Sequence, residues 1–428
     1  MSQSDNYQLY TSQAVKTEIL EPAGHSSSQT EFKIHGSVLP NIRLGNVGQS
    51  SANALDPPAN VGALAHIKHI FLYDGRNVIT QQRNFNDLMS FMLLREKNDY
   101  NAEYGRITNF NKIGYRNFYF GANGATKYSR KTVVKNDLNL QMDAADLPQA
   151  TRDALLQLNE HLQMLNQVPV LSDKVFKQLR LVIEYESNPD KLCTTTNLAV
   201  AAPVPKRPVL VVDRVHDEKV ERDLLGQLKN VQWVEYEQDN FFQDGNITDA
   251  TATGTLPTVA KVNGFNNKNL QRIVIAKRNA SNARMFNANQ AIGYGPYASI
   301  FGLRHEYQVT VNGRNILPRD RVKGPNRELA LLNDTWGNLN LHEDSHIQMN
   351  DGIPVLNDTT LLGKQGQQSF FGVYVGEKIQ ELKIEFQRDL FPDNQTFRPH
   401  NENYRLEVTG EVVKQLEIVN GGYLISYA

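Results

Sequence analysis

A short string recurs in the two halves of the chain. Asp-Gly-Arg-Asn at residues 74–77 returns as Asn-Gly-Arg-Asn at residues 312–315, and each copy follows a strand-like run and precedes a short helix-like segment. A second pair of related runs lies downstream, Leu-Val-Ile-Glu-Tyr at residues 181–185 and Leu-Lys-Ile-Glu-Phe at residues 382–386. Self-similarity over a period this long predicts two domains of similar fold rather than a solenoid of short repeats.

The length and composition of the chain agree with two domains. A chain of 428 residues exceeds what one ordinary hydrophobic core supports, and its hydrophobic content of 40% is enough to fill two. Many short strand-like runs separated by turn signals, with few helical segments, are typical of β-sandwiches. We therefore expect an all-β fold of two tandem jelly-roll β-sandwich domains, with short helices in the connections.

Charge and cysteine content exclude several classes of protein. The net charge of -1 excludes, on bulk grounds, a strongly basic nucleic-acid binder. The single cysteine, Cys193, excludes a disulfide framework within the chain and a metal cage of several thiolates. No apolar run reaches the ~20 residues of a membrane span, and the first residues lack the pattern of a secretory signal. We expect a soluble protein made in the cytoplasm.

Three segments define the expected domain organisation. Residues 1–30 are polar and irregular, which predicts a flexible N-terminal arm that becomes ordered only against a partner. The first jelly roll is expected at residues 31–222 and the second at residues 223–428. Since the downstream pair of runs is closer together than the repeated turns, the first half must contain an insertion, and the segment 148–166 supplies much of it. A boundary in the Pro-rich region 188–206 remains an alternative.

Periodicity assigns the other segments. Leucines at positions 155, 158, 162 and 165 alternate in steps of three and four, which predicts an amphipathic helix within the insertion. Leu88, Met89 and Met92 predict another helix after the first repeated turn. Polar stretches at residues 239–267 and 279–303 are expected to be long loops.

The repeated turns are the candidate sites of this chain. Glycine adopts the positive φ of a tight hairpin without steric cost, and the neighbouring Arg and Asn side chains are expected to hydrogen-bond turn carbonyls. Stabilisation of the hairpin is a simpler role for them than ligand binding. These structural repeat-turn residues are Gly75, Arg76, Asn77, Gly313, Arg314 and Asn315.

One string matches a catalytic pattern. His342, Glu343 and His346 fit the H-E-x-x-H signature, which binds zinc only when it lies on a helix. Asp344 and Ser345 are weak helix formers and no third ligand follows closely, so a polar loop is the better interpretation.

Other chemically suggestive residues are interpreted as structural. His66 and His69, three residues apart on a strand, point to opposite faces. The Gly-rich run 293–297 lacks the lysine of a phosphate-binding loop, and Cys193 has no histidine at readable spacing. We therefore expect no catalytic residue, no metal and no cofactor.

In architecture the chain resembles the double jelly-roll major capsid proteins of the viral lineage that includes adenoviruses, tailless membrane-containing phages and virophages. The features that carry the resemblance are the duplicated strand–turn–helix order, the chain length, the polar N-terminal segment and the C-terminal strand-like run at residues 416–428. It covers the chain from about residue 30 to its end.

The resemblance implies a structural protein of the virion. It implies a homotrimer that forms pseudo-hexameric capsomers and tiles an icosahedral shell. The implied partners are neighbouring capsomers, minor capsid or penton proteins and an internal membrane, without sequence-specific binding of nucleic acid. The implied location is the virion, after synthesis as a soluble protein in the host cytoplasm.

Two other functions remain open from the sequence. One is a carbohydrate- or receptor-binding tandem β-sandwich of the spike or penton type, which would present exposed aromatic platforms. The chain offers only two tryptophans for this purpose, Trp233 and Trp336. The other is a metal-dependent hydrolase, which depends on the H-E-x-x-H string alone.

Overall fold

The computed structural model describes residues 14–47, 49–50, 62–95, 117–119, 127–129, 155–192, 204–243, 255–279, 299–300, 305–317, 322–323, 331, 334–336, 368–369, 371–389, 404–419 and 422–428.

Strands dominate the described part of the chain. The first half contains β1 (Val15–Leu20), β2 (Gly24–His25), β3 (Gln29–Lys33), β4 (Ser37–Val38), β5 (Arg43–Gly45), β6 (Gln49–Ser50), β7 (Ile67–Asp74), β8 (Asn77–Gln82), β9 (Asn117–Tyr119), β10 (Lys127–Ser129), β11 (Leu155–Gln157), β12 (Leu179–Tyr185), β13 (Val204–Pro205) and β14 (Val209–Val215). The second half contains β15 (Val231–Gln243), β16 (Thr255–Lys261), β17 (Asn269–Asn279), β18 (Ser299–Ile300), β19 (His305–Val311), β20 (Arg314–Asn315), β21 (Val322–Lys323), β22 (Gln368–Ser369), β23 (Phe371–Lys378), β24 (Leu382–Asp389), β25 (Tyr404–Val419) and β26 (Gly422–Tyr427).

Helices are short and lie in the connections. The α-helices whose bounds lie in the described ranges are α1 (Phe85–Arg95), α2 (Pro189–Leu192) and α3 (Glu218–Gln227), and residues 331 and 334–336 are also α-helical. Short 3-10 helices span Gly62–His66, Leu158–Glu160 and Gln163–Asn166. The predicted apolar face of the first helix is confirmed, because Leu88 and Met89 of α1 are buried in the core.

The first half of the chain forms a sandwich of two antiparallel sheets. One sheet has the order β1-β14-β5-β11, with β4 beside β14, and the other has the order β2-β3-β12-β7-β8. Apolar side chains from both sheets fill the space between them, among them Phe32, Leu72, Ile183, Leu210 and Val212. Short β6–β13 and β9–β10 pairs lie outside these sheets.

The second half repeats this architecture. One sheet has the order β15-β25-β17-β23, with β26 beside β25, and the other has the order β16-β24-β19-β20, with β21 beside β19. Ile273, Ile275, Val309, Ile384 and Val408 belong to its core. The predicted class is confirmed: the protein is an all-β chain of two tandem β-sandwiches with short helices in the connections.

The first sandwich begins before residue 31. Residues 14–30 were expected to belong to a flexible arm, but β1 pairs with β14 from Val15 opposite Val215 to Leu20 opposite Leu210. A polar segment can form β1 because the hydrogen bonds of the strand pair are made by backbone groups, whatever the side chains are. In addition, the hydroxyl of Thr17 donates a hydrogen bond to Asp213 at 2.6 Å. Residues 1–13 of the expected arm lie outside the described residues.

The expected helix in the insertion 148–166 is wrong for residues 155–166. Its first part is β11, and the rest forms the two 3-10 helices, in which the N–H of Leu165 donates to the carbonyl of Leu162. Asn166 donates its amide to the carbonyl of Asn159 at 2.7 Å, a local side-chain bond that competes with helix formation. Leu158, Leu162 and Leu165 are buried, so their spacing indicates burial and not an α-helix, while residues 148–154 lie outside the described residues.

The expected loop at residues 239–267 is shorter than its polarity indicated. Strand β15 continues to Gln243, because it pairs with β25 along its whole length, from Val231 opposite Leu416 to Gln243 opposite Tyr404. Strand β16 then occupies Thr255–Lys261. Residues 244–254, and residues 280–298 of the second expected loop, lie outside the described residues.

Helix α3 connects the two sandwiches, and the predicted division at residues 222/223 falls inside it. Leu224 of α3 packs with Val215 and Leu39, and Glu221 accepts hydrogen bonds from Ser37 and Ser172. Because these contacts are with the first sandwich, we propose that α3 belongs to the first domain and that the second begins at β15.

Candidate functional site

The first repeated turn joins β7 to β8 through Gly75 and Arg76. Gly75 has a φ of 58°, in the left-handed region that glycine adopts without strain. The carboxylate of Asp74 accepts the N–H of Gln178 at 2.7 Å, and the guanidinium of Arg180 donates to the carbonyl of Gly75 at 2.9 Å. The turn is thereby fixed to the start of the neighbouring strand β12.

The second repeated turn joins β19 to β20 through Asn312 and Gly313. Their φ angles of 48° and 78° are those of a type I′ hairpin turn. The side-chain oxygen of Asn312 accepts the N–H groups of Gln380 at 2.7 Å and Glu381 at 3.1 Å. This turn is likewise fixed to the start of its neighbouring strand, β24.

The two turns are equivalent in position but differ by one residue in register. Gly75 is the first central residue of its turn, because Asp74 pairs with Asn77, whereas Gly313 is the second, because Val311 pairs with Arg314. The strings of the repeat therefore do not superpose residue by residue.

The polar residues of the repeat lie in different surroundings. Arg76 and Asn77 are exposed, Arg314 forms an ion pair with Glu377 at 2.8 Å, and Asn315 accepts a hydrogen bond from Thr310 at 2.9 Å. The expected bond from arginine to a turn carbonyl is made in the first hairpin by Arg180. A functional role for the six repeat residues stays a prediction.

A second site, which we call the junction, lies where β15 meets the first sandwich. The carboxylate of Glu235 accepts the hydroxyl of Thr80 at 3.1 Å and the N–H of Gln81 at 3.3 Å, both on β8. Its other oxygen accepts a hydrogen bond from the ammonium group of Lys414 on β25. Glu235 is 3% exposed, so its charge is compensated by these donors rather than by water.

The charged cluster extends from Glu235 along the second sandwich. The carboxylate of Glu237 forms ion pairs with the ammonium groups of Lys268 at 2.5 Å and Lys414 at 3.4 Å. It also accepts a hydrogen bond from the hydroxyl of Tyr427 at 3.0 Å. Burial by itself raises the pKa of Glu237, but these donors outweigh it and hold the pKa below its usual value. Glu237 therefore stays ionised, and β26 is tied to β15.

Aromatic rings complete the junction on the opposite face of the same sheet. Trp336 stacks on Tyr236 with ring centroids 6.2 Å apart, and meets Phe91 of α1 edge-on at 5.1 Å. Tyr236 donates to Glu411 at 3.0 Å, and Glu411 pairs with Arg272 at 2.8 Å. Because Phe91 belongs to the first half and Tyr236 to the second, the rings hold the two sandwiches together.

Strand β26 makes a third connection between the halves. The hydroxyl of Tyr423 donates to Asp74 at 3.0 Å, and its ring lies 4.9 Å from that of Phe176. Burial and the neighbouring Asp74 carboxylate raise the pKa of Tyr423 above its ordinary value. Asp74 thus serves both the repeated turn and the contact between sandwiches.

Sequence reasoning missed the junction. Glu407, Thr409 and Glu411 alternate with apolar residues on β25, a pattern typical of a solvent-facing side of a sheet, yet all three are buried. No local signal identifies the partners that cover them.

His66 and His69 were expected on one strand, but only His69 lies on a strand, because β7 begins at Ile67. His66 ends a 3-10 helix and is buried, while the Nδ1 atom of His69 on β7 accepts the N–H of Asn84 at 2.9 Å. Burial lowers the pKa of His66 to about 4 and, with help from nearby cations, that of His69 to about 4. Both rings are therefore neutral near pH 7.

The remaining motifs fall elsewhere. The H-E-x-x-H string at residues 342–346, the Gly-rich run 293–297 and Cys193 lie outside the described residues. Within the described ranges, no group of three or more His, Cys, Asp or Glu side chains gathers as a metal site would require. Of the helices in those ranges, none is long and apolar enough to cross a membrane.

The sequence matches no protein-family model and no curated protein. Its structure, in contrast, is similar to that of the VP54 protein of PBCV-1, fitted into a reconstruction of the virophage Sputnik, with a TM-score of 0.55, 12% identity and 97% of each chain covered. It is also similar to the mavirus major capsid protein, with a TM-score of 0.54, 10% identity and coverage of 99% of this chain and 94% of that one.

A third similar structure comes from the Sputnik virophage, with a TM-score of 0.54, 9% identity and coverage of 97% of this chain and 88% of that one. The resemblance to double jelly-roll major capsid proteins is thereby confirmed at the level of the fold. The two sandwiches of this chain are two jelly rolls in tandem, and the likeness extends over nearly the whole chain.

Proposed function

We propose that this protein is a viral major capsid protein, which forms homotrimers that serve as the pseudo-hexameric capsomers of an icosahedral shell. One observation carries the proposal: a double jelly roll that matches the mavirus major capsid protein over 99% of this chain and 94% of that one. Two similar sandwiches in each of three subunits place six similar units around a three-fold axis, and closed symmetry limits growth of that interface.

The junction supports this function. A capsomer with a fixed outline needs two sandwiches that do not hinge, and interfaces between domains of one chain are otherwise often mobile. Here the hydrogen bonds that Glu235 accepts from Thr80 and Gln81, the stacked Trp336 and the Tyr423–Asp74 bond connect them at three places. Rigid pairing of the sandwiches is what a shell-forming block requires.

The remaining parts of the proposal concern location and partners. The protein is made as a soluble chain in the host cytoplasm and ends in the virion, where it contacts neighbouring capsomers, minor capsid or penton proteins and an internal membrane. Its net charge of -1 limits repulsion between many identical neighbours. We assign it no enzymatic activity and no sequence-specific binding of nucleic acid.

Solution mass tests the proposal. The purified full-length protein is expected to give a stable particle of three times 48.4 kDa by light scattering, and a three-fold, pseudo-hexagonal outline by electron microscopy. The variant Arg76→Ala, at an exposed turn, is the control and should behave as the unmodified protein does. A strict monomer at high concentration would contradict the proposal.

A further inference from the structure

A buried group of one lysine and two carboxylates lies between α1 and α2. The ammonium nitrogen of Lys191 is 2.9 Å from each carboxylate oxygen of Asp87, and 3.9 Å from the nearer oxygen of Glu186. The side chains of Asp87 and Glu186 are each 4% exposed and that of Lys191 is 14% exposed. Neither the hairpins nor the junction involves this group.

The three side chains are held by separate elements. Asp87 lies in the first turn of α1, Lys191 lies on α2, 104 residues further on, and Glu186 directly follows β12. The carboxylate of Glu186 is fixed by the N–H groups of Ser187 and Asn188, both at 3.0 Å, and by the amide of Asn86 at 3.1 Å. The amine and both carboxyl groups are therefore already positioned by the folded chain.

This arrangement is suited to amide formation. In water an ammonium group does not attack a carboxylate, because neither is in its reactive form and the solvent favours hydrolysis. The contacts of 2.9 Å let one proton pass directly from Lys191 to Asp87, and fixed contact replaces a collision between separate molecules. Condensation also exchanges a buried ion pair, which is costly to desolvate, for a neutral amide.

We propose that Lys191 and Asp87 form an isopeptide bond in the folded protein, with Glu186 as the proton relay. The ammonium first gives a proton to the Asp87 carboxylate, which leaves an amine beside an acid. The amine nitrogen then attacks the carboxyl carbon, and Glu186 takes a proton from that nitrogen. Glu186 returns the proton to the departing hydroxyl as the C–O bond breaks.

The step balances without another reactant. The ammonium and the carboxylate become one amide and one water molecule, and Glu186 ends as the carboxylate with which it began. The bond closes a loop that contains the insertion of the first sandwich. Closing such a loop removes conformational freedom from the unfolded chain and raises resistance to unfolding. This inference is independent of the proposed capsid function.

Mass spectrometry of the full-length protein tests the bond. The intact mass is expected to be lower than that of the sequence by one water molecule in nearly the whole population. A digest should contain one branched peptide that joins the segments around Asp87 and Lys191, with no cleavage by trypsin after Lys191. A full intact mass for the folded protein would overturn the proposal.

Another reaction loses the same mass and must be distinguished. Asp74 precedes Gly75, and such a pair forms a succinimide with loss of one water. Hydroxylamine cleaves the chain at a succinimide but leaves an isopeptide bond intact. Water loss that maps to Asp74, or that disappears with hydroxylamine, would also overturn the proposal.

Three variants assign the roles. Lys191→Arg keeps the positive charge and Glu186→Gln keeps the shape of the relay, and both are expected to retain the full mass of their sequences. Asp87→Asn is the matched control, because it should lose ammonia instead of water and give the same product mass as the unmodified protein. Complete condensation in Glu186→Gln would overturn the relay. Should Lys191→Arg fail to fold, the peptide map of the unmodified protein still decides.

Discussion

At the scale of single residues, the two hairpins make the same type of hydrogen bond to the neighbouring strand with different side chains. Asp74 and Asn312 each place a side-chain oxygen on backbone N–H groups at the start of the neighbouring strand, at 2.7 Å from Gln178 and from Gln380. Both an aspartate and an asparagine can accept such bonds. What the duplication retains is therefore a backbone contact, not one residue type.

Replacement of Asn312 tests this contact. Asn312→Ala removes both accepted hydrogen bonds and places a Cβ residue without local side-chain support at positive φ, so we expect a loss of about 1–3 kcal/mol in the free energy of unfolding. Asn312→Gly removes the bonds but not the freedom of φ, and should lose less. Urea unfolding measures both.

The control is Arg76→Ala, at an exposed position of the other hairpin, which should change the stability by less than about 0.5 kcal/mol. Equal effects of Asn312→Ala and Arg76→Ala would contradict the role given to Asn312.

At the scale of elements, strand β25 connects most of the second half. It pairs with β15, β17 and β26, and its residue Lys414 points to Glu235 on β15, which in turn accepts bonds from β8. A buried ion pair is sensitive to loss of one partner, because the remaining charge stays out of water. The contact between the sandwiches thus depends on Glu235 of the edge strand β15 keeping both its cation, Lys414, and its hydrogen-bond donors on β8.

Removal of one charge tests the junction. Lys414→Met leaves Glu235 and Glu237 without their shared cation, so we expect a loss of about 3 kcal/mol in the free energy of unfolding. The double variant Glu235→Leu with Lys414→Met should recover part of that loss, since no charge then remains unpaired at Glu235. A double-mutant cycle by urea unfolding measures the coupling.

The matched control is Lys383→Met. Lys383 pairs with Glu381 at 2.8 Å, but the two side chains are 27% and 44% exposed, and such pairs contribute about 0–1 kcal/mol. If Lys383→Met and Lys414→Met had similar effects, the junction pair would have no special role.

At the scale of the whole molecule, one hydrophobic cluster spans both jelly rolls. Trp233, Trp336 and Leu416 from the second half belong to the same cluster as the core of the first sandwich. The second sandwich has a further core of its own. We expect the two halves to unfold together, because separating them exposes these large apolar side chains.

The free energy of unfolding is expected to decrease as the pH falls below 6.5, because buried histidines then begin to matter. Burial lowers the pKa of His66 to about 4 and that of His161 to about 3, from 6.5. Between pH 6.5 and these values, the two histidines are protonated in the unfolded chain but remain neutral in the folded chain. The free energy of unfolding therefore decreases as the pH falls. Each histidine contributes up to about 1.4 kcal/mol per pH unit in this window.

Unfolding free energies at pH 7 and pH 5 measure this dependence, and His161→Gln should show a smaller difference between them than the unmodified protein does. Identical free energies at both pH values would contradict the prediction.

Local sequence determined the elements whose patterns are local. Strand-like runs identified β7 and β12, helical spacing identified α1, and the glycines of the repeat identified both hairpins. These predictions succeed because the period of a strand or a helix, and the positive φ of a turn, are properties of a few neighbouring residues. The duplication extended them to the all-β class with two tandem domains.

Tertiary structure alone decided the rest. Polar residues 14–30 form strands because β14 and β12 supply ladder partners, and Leu158, Leu162 and Leu165 are buried without an α-helix. Glu235 and Lys414, like Asp87 and Lys191, meet although they lie far apart in the chain. A polar residue is stable in the interior only beside its specific partner, and the identity of that partner is set by the packing of the whole chain.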